Sequence, residues 1–344
     1  MRLAPAYSTI SASSIAAVVD QNYEIAPVVG CRLFHTGFND TYELEGANGR
    51  SYMARLSNRR FRGPANVAYE TALLIHLHRA GVLVGVPLAD REGRLWTTHD
   101  APEGPRELAV FERLAGRGAL VAGVRRAGKA DDQTLADVAA LGASLARIHL
   151  AGETFDGPPS LYRLEAPLML DGPLDQLASA FGGALAEEVG ATAARLRGRL
   201  DACAPSLSVG HCHGDNHAGN TVFADAADGT VLAGWFDFDD GGPGFLAYDL
   251  ATFLWSLLLR SAAGDVTDEV PPLWRVFIRA YRSVRATPVA DVDAVGLLVA
   301  VRHFWLMGNF ASRLSHTPIP ADWFRQALGL VRKWEDLVAP LVEV

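Results

Sequence analysis

The sequence predicts an α+β protein in two lobes: a strand-rich N-terminal lobe with one main helix (1–112) and a mostly helical C-terminal lobe (113–344). Three observations lead there. The chain has 344 residues, too many for one small core and enough for two. Between about residues 23 and 112 the apolar runs are short and broken by turn residues, whereas after about 118 apolar residues recur at helical spacing. Within that helical part, "AGWFDFDDGGPG" breaks the texture as a strand followed by a Gly/Pro-rich loop.

The elements follow in order. "ISASSIAAVVDQ" reads as a short capped helix. "YEIAPVV" and "RLFHTGFNDTYELEG" read as strands joined by a tight turn, and "GRSYMARLS" as a third strand entered through the turn "GANG". "GPANVAYETALLIHLHRAG" is the lobe's helix, with Pro64 near its start, Gly81 past its end, and Leu73, Leu74 and Leu77 on one face. "VLVGVPLADREGRLWTTHD" gives two short strands around "REG", and "RELAVFERLAGR" a last one ending at Gly116. A long amphipathic helix follows in "DQTLADVAALGASLARIHLAG", its stripe made by Leu135, Val138, Leu141, Leu145 and Ile148. "YDLATFLWSLLLR", "VRHFWLMGNFASRL" and "ADWFRQALGLVRKWEDLVAPLV" are further helices.

Composition excludes several classes. A net charge of −8 gives no broad electrostatic footprint for nucleic acid or anionic membranes. Three cysteines (Cys31, Cys203, Cys212) without a CxxC make neither a disulfide framework nor a cysteine zinc site, which places the chain in the cytoplasm with reduced thiols. The N-terminus is a poor signal peptide. The apolar run "LATFLWSLLL" is about half the length that spans a bilayer, so it reads as a buried helix.

The chemistry concentrates in "HCHGDNHAGNTVF", His211 to Phe223. His211, His213, Asp215 and His217 approach an H-x-H-x-D-H zinc signature, but Asn216 stands where the last histidine should be, and only His303 and His316 follow to complete a site. The same letters also read H-G-D-x-x-x-x-N, from His213 to Asn220. An aspartate and an asparagine five apart on an irregular loop can face one cavity, one meeting a hydroxyl proton and the other offering a carbonyl oxygen to Mg²⁺. Magnesium then needs a carboxylate, and Asp237 supplies one behind the apolar pair Trp235–Phe236.

Catalytic loop and metal aspartate together match the kinase pattern H-R-D-x-x-x-x-N and D-F-G. The form here, "HGDNHAGN…FDFDDGGPG…YDLA", resembles the aminoglycoside phosphotransferase and choline kinase-like family over about residues 23–340. That resemblance implies a two-lobed protein-kinase-like fold and transfer of the γ-phosphoryl group of ATP or GTP to a hydroxyl of an aminoglycoside, an amino alcohol or a hydroxy amino acid such as homoserine. Neither nucleic acid nor membrane is an expected partner, and the chain is expected to act as a monomer or homodimer. The family also holds a stress-response protein kinase, so protein phosphorylation is the alternative, and a pseudokinase binding module a third.

By the same resemblance Asp215 is the catalytic carboxylate, and Asn220 and Asp237 are the Mg²⁺ ligands. His213 and His217 shape the loop, Asp239 and Asp240 organise the segment after the metal aspartate, and Asp249 braces the loop from a helix start. Arg55 stands where the family usually has a lysine, with Glu70 as its partner, a departure that changes geometry because guanidinium is planar. Gly37 and Thr41 are expected to meet phosphates in a turn with no G-x-G-x-x-G. Backbone groups from Phe111 through Arg113 to Leu114 would meet the purine. Arg302, His303, Trp305, Asn309 and Arg313 could line the acceptor pocket or form a core stripe with snorkelling arginines.

Overall fold

The computed structural model describes residues 7–25, 27–58, 63–118, 131–261, 264–314 and 318–337. The chain divides into two compact units. The first holds residues 1–115 with segments 155–161 and 234–239; the second holds 116–154, 162–233 and 240–344.

Unit 1 is built on a five-stranded antiparallel sheet of β1 (Val28–Thr36), β2 (Asp40–Gly46), β3 (Ser51–Leu56), β4 (Thr97–Ala101) and β5 (Gly104–Glu112), in the order β1-β2-β3-β5-β4. Helix α1 (Ala12–Asn22) is capped by Ser11, whose hydroxyl accepts the Ser14 N–H. Its Ile15 and Val19 pack with Tyr42, Leu44, Tyr52, Ala54, Leu108 and Val110 from alternate positions of the strands, the period-2 pattern that buries one face of a sheet. Helix α2 (Pro64–Arg79) starts at Pro64 and buries Leu73, Leu74 and Leu77. Asp40 opens β2 fully buried and accepts from Arg106 Nη2 at 3.0 Å and from the Tyr7 hydroxyl; Arg106 is itself fully buried and donates to the Ser57 carbonyl at 2.7 Å. Asp40 is therefore a structural anchor for the β1–β2 turn.

Three expectations need correction. The first of the two strands expected around "REG" is replaced by isolated bridges, Val84 with Trp235, Pro87 with Phe111 and Asp90 with Tyr23. Pro87 has no N–H for a continuous ladder. "YEIAPVV" is not one strand: Tyr23 caps α1 and β1 begins at Val28, while Ala26 lies outside the described residues. The last strand also stops earlier than expected, at Glu112.

Unit 2 is mostly helical: α3 (Asp132–Gly152), α4 (Gly172–Ala180), α5 (Gly183–Cys203), α6 (Leu246–Arg260), α7 (Val270–Val284), α8 (Val289–Asp293), α9 (Val295–Ala311) and α10 (Ala321–Leu337). Among the described residues α3 alone is long and apolar enough to cross a membrane, and it is a core helix packed on α7. That packing is close: a Cβ at Gly142 would lie 2.2 Å from the Phe277 carbonyl oxygen. Helix α6 is buried from Leu246 through Leu258, as its unbroken apolar run requires. Strand β6 (Arg117–Gly118) pairs with β8 (Thr221–Asp225), which neighbours β9 (Val231–Trp235). A second ribbon, absent from the sequence reading, joins β7 (Val209–Cys212) to β10 (Gly242–Phe245).

Candidate active site

In unit 2, β7 leads directly into the loop His213–Asn220. Gly214 holds φ +84°, and a Cβ there would lie 2.2 Å from the Asp240 carbonyl oxygen, so both conformation and space demand glycine. The fully buried Asp249, in the first turn of α6, braces the loop. Its Oδ2 accepts the His213 N–H at 2.7 Å and its Oδ1 the Gly214 N–H at 2.9 Å. Asn216 Nδ2 donates to the Asp249 carbonyl at 2.9 Å.

Behind Asp249 stands His149 of α3, also fully buried. A carboxylate can only accept, so His149 donates from Nε2 to Asp249 Oδ2 at 3.0 Å and accepts the Tyr281 hydroxyl at Nδ1 at 2.7 Å. No motif in the sequence marks His149. Its signal was a polar residue one position beyond Ile148, in the apolar stripe of a core helix.

The loop places Asp215 with three donors around its carboxylate. Arg302 donates from Nη2 to Oδ1, Asn220 from Nδ2 to Oδ2 at 3.2 Å, and His217 Nε2 stands 3.4 Å from Oδ2. His217 accepts the Gly219 N–H at Nδ1, which leaves its proton on Nε2, toward Asp215. Burial pushes the Asp215 carboxyl up, but the Arg302 guanidinium, with His217 and His213, overcomes this and holds it well below the usual carboxylate range. Asn220 spends its amide nitrogen on Asp215, both at Oδ2 and at the backbone carbonyl (2.9 Å), so it is the amide oxygen that faces other partners.

Arg302 is 3% exposed. It also donates from Nη1 to the Gly214 carbonyl and the Tyr248 hydroxyl, both at 3.1 Å, and its guanidinium lies 4.4 Å from the Trp305 ring and 5.0 Å from the Trp255 ring. The arginine points inward rather than snorkelling. His303, next to it, accepts the Trp255 Nε1–H at 3.1 Å and is core rather than pocket lining.

The zinc alternative finds no support among the described residues. His213 accepts the Asp215 N–H at Nδ1 and His217 the Gly219 N–H, so these rings serve the loop backbone; His316 lies outside the described residues. One buried trio, His149, Cys212 and Asp249, brings its ligand atoms within 4.8 Å of one another. Burial raises the Cys212 thiol well above its ordinary value, so it stays protonated, and both His149 nitrogens already have partners. The trio is a hydrogen-bonded support.

In unit 1, Asp237 has φ +66°, the one non-glycine residue with positive φ among the described residues. An aspartate held in this region costs about 1 kcal/mol, a strain that concentrates at functional positions. Arg55 of β3 donates to Asp237 Oδ1 at 3.1 Å and forks onto Glu70 of α2, Nη1 to Oε1 at 2.8 Å and Nη2 to Oε2. Burial works against the Arg55 charge, but Glu70, Asp239 and Asp237 outweigh it and raise its pKa. Lys333, in α10, pairs with Asp265, and among the described residues Arg55 is the cation that meets Glu70 and Asp237.

The remaining expected residues fall as follows. Gly37 and Asn39 form the β1–β2 turn; a Cβ on Gly37 would lie 2.8 Å from His35 Nε2, and Asn39 Nδ2 donates to Asp239 at 2.6 Å. Thr41 lies in β2 opposite Arg55. Phe111 stacks under the Arg55 guanidinium at 5.2 Å. The Arg113 side chain pairs with Glu43 on the exposed side of the sheet, the Arg113 backbone N–H donates to the Ser51 carbonyl, and the Glu112 N–H donates to the Val86 carbonyl at 2.8 Å, so two donors in the segment expected to meet a purine are already held within unit 1. Unit 1 brings together Arg55, Glu70, Asp237 and Phe111; unit 2 brings together Asp215, Asn220 and the residues that hold them.

Comparison with known proteins extends this. Residues 31–286 match the phosphotransferase enzyme family. An uncharacterized protein of Deinococcus radiodurans is 35% identical over 336 residues, 96% of this chain and 92% of that one. The homoserine kinase of Ralstonia nicotianae is 27% identical over 332 residues, 92% of this chain and 89% of that one. Amicoumacin kinase hAmiN, solved in complex with AMP-PNP, Ca²⁺ and Ami, superposes with a TM-score of 0.73 at 18% identity, covering 95% of this chain and 94% of that one, and so shares the kinase-like fold.

Proposed function

We propose that this chain, which belongs to the phosphotransferase enzyme family, moves the γ-phosphoryl group of ATP, or of GTP, to a hydroxyl of a small amine-bearing molecule. Membership makes it an enzyme, a small-molecule phosphotransferase with an alcohol group as acceptor. The relative named as a homoserine kinase supports a hydroxy amino acid as acceptor, beside the amino alcohols and aminoglycosides that the family resemblance implies. Within that set the pairing of Asp215 with Arg302 favours the smaller acceptors. Arg302 neutralises Asp215, so the loop has little surplus negative charge to draw a polycation. The three free cysteines suit work in the cytoplasm, as a monomer or homodimer.

The observation that carries the reading is the Asp215 carboxylate, ionised and held by three donors on a loop braced by Asp249. In this reading Asp215 aims the acceptor hydroxyl at the phosphorus. Phosphoryl transfer has a loose transition state, so alignment and charge neutralisation supply most of the rate. The amide oxygen of Asn220 and the carboxylate of Asp237 are the hard oxygen donors that magnesium takes, and these two residues would hold Mg²⁺. The ion, when bound, neutralises charge on the phosphates. Arg55, kept in place by Glu70, would clamp phosphate oxygens, and the turn at Gly37 and Thr41 would cover them.

The test is coupled ADP release against a panel of homoserine, amino alcohols, sugars and aminoglycosides. Asp215→Ala is expected to lose about a thousandfold in kcat while still binding ATP. Equal turnover in variant and wild type removes Asp215 from the mechanism.

A further inference from the structure

We propose that Arg302 is a positioning residue for phosphoryl transfer: it locks the Asp215 carboxylate so that one lone-pair site, on Oδ1 beside the guanidinium, remains to seat the acceptor hydroxyl. The inference rests on Asp215 being the acceptor-facing carboxylate proposed above.

A carboxylate offers about four lone-pair sites. On Oδ2 both are taken, by Asn220 at 3.2 Å and by His217 at 3.4 Å. On Oδ1 one is taken by Arg302 Nη2. The hydroxyl therefore has one seat, and its direction is fixed by Arg302. The guanidinium is planar and spans two parts of the same loop, Nη2 on the Asp215 carboxylate and Nη1 on the Gly214 carbonyl at 3.1 Å. It ties the rotamer of Asp215 to the backbone that carries it. The Trp255 and Trp305 rings and the Tyr248 hydroxyl fix the guanidinium in turn.

Arg302 is not there for stability alone. Its Nε is buried without a hydrogen-bond partner, a loss that an apolar side chain in the same space would avoid. Structures keep such losses where function needs them. Nor does Arg302 read as a receptor for an acceptor carboxylate: Nη1 and Nη2 are engaged with the loop and Tyr248, and the unpartnered Nε is shut away from solvent.

Three donors make Asp215 a poor base, and the role left to it is aim. The acceptor oxygen bonds to the γ-phosphorus while the bond from that phosphorus to the bridging oxygen breaks. The electron pair leaves with the nucleoside diphosphate, and the hydroxyl proton departs to water from the oxygen that has already been phosphorylated.

The experiment compares wild type, Arg302→Met, Arg302→Lys and Asp215→Ala in ADP release with homoserine and with 1-amino-2-propanol. It is paired with crystal structures of wild type and Arg302→Met, which read the Asp215 rotamer and need no acceptor. Arg302→Met is expected to fold, to lose about 10- to 100-fold in kcat with KM for ATP unchanged, and to release the Asp215 carboxylate from the rotamer it holds in the wild type. Arg302→Lys keeps charge but cannot span Gly214 and Asp215, so it loses kcat as well. Wild-type kcat together with an unmoved Asp215 rotamer in Arg302→Met overturns the proposal; should that variant not fold, wild-type kcat in Arg302→Lys does so. Full activity in Asp215→Ala instead sinks the reading on which the proposal rests.

Discussion

Acid should loosen the helix that carries Arg302, and His303 is the side chain through which it acts. His303 is 1% exposed. Its Nδ1 accepts the Trp255 Nε1–H at 3.1 Å, which leaves its proton on Nε2, and that nitrogen is buried without a partner. A second proton would break the Trp255 bond and place a charge in apolar surroundings beside Arg302. Burial first, and the Arg302 charge second, push the imidazole from 6.5 down to about 3. The folded protein thus refuses a proton that the unfolded chain accepts below pH 6.5. The stabilising contribution is complete above pH 6.5 and is lost as pH falls from there toward 3. At pH 4.5 the unfolded chain has gained two units of protonation free energy, so folding is about 2–3 kcal/mol weaker from this residue than at pH 7. For a body of this size that is roughly 5–10 °C in Tm. The assay is thermal unfolding of wild type and His303→Asn at pH 7.5, 6.0, 5.0 and 4.5. Asparagine keeps an oxygen for Trp255 but cannot be protonated, and the carboxylates common to both proteins cancel in the difference. The variant is expected to start about 1 kcal/mol less stable at pH 7.5, from the space it leaves, and to overtake the wild type by pH 4.5. Parallel curves across the range would refute the argument.

Two further outcomes follow from the brace and the clamp. Asp249→Asn turns one acceptor toward a loop N–H into a donor, leaving His213 or Gly214 unpaired in a fully buried place; the cost should be about 3–5 kcal/mol, read as a Tm drop on the order of 10 °C with lowered kcat. A Tm within 2 °C of wild type would mean that the loop does not depend on the brace. Arg55→Lys keeps a charge but cannot fork onto Glu70 and reach Asp237 together, so KM for ATP should rise about tenfold, the effect of one charged hydrogen bond. An unchanged KM for ATP would remove Arg55 from nucleotide binding.

The two motifs were readable because their residues are neighbours in the chain. Gly214, Asp215 and Asn220 sit on one loop, and the Asp249 brace announces itself by opening an apolar helix. The β7–β10 ribbon was not readable, because Gly242–Phe245 looks like a turn. Its glycines serve closeness instead: a Cβ would lie 2.2 Å from the Tyr162 carbonyl oxygen at Gly242 and 2.4 Å from Leu164 Cβ at Gly244. The later segments of unit 1 were hidden for a similar reason, since nothing local marks residues 155–161 or 234–239 as belonging with the first 115.

Arg302 is the instructive case, because its sequence held more than its spacing. Helical periodicity places Arg302, Trp305 and Asn309 on one face, and periodicity cannot say whether that face meets solvent, a pocket or a partner helix. The whole run "VGLLVAVRHFWLMGNFA" is apolar on every side, however, and a helix of that kind is buried all round. A mid-helix arginine there has no nearby water to reach, so its charge has to meet an anion inside the protein. The anions able to enter such a core are few, and the aspartate of the H-G-D loop, which in the proposed function aims a hydroxyl as a carboxylate, is the one that would gain a function from the pairing. Burial of the helix thus implied a partner for Arg302 before its position was known, and the partner it meets is Asp215.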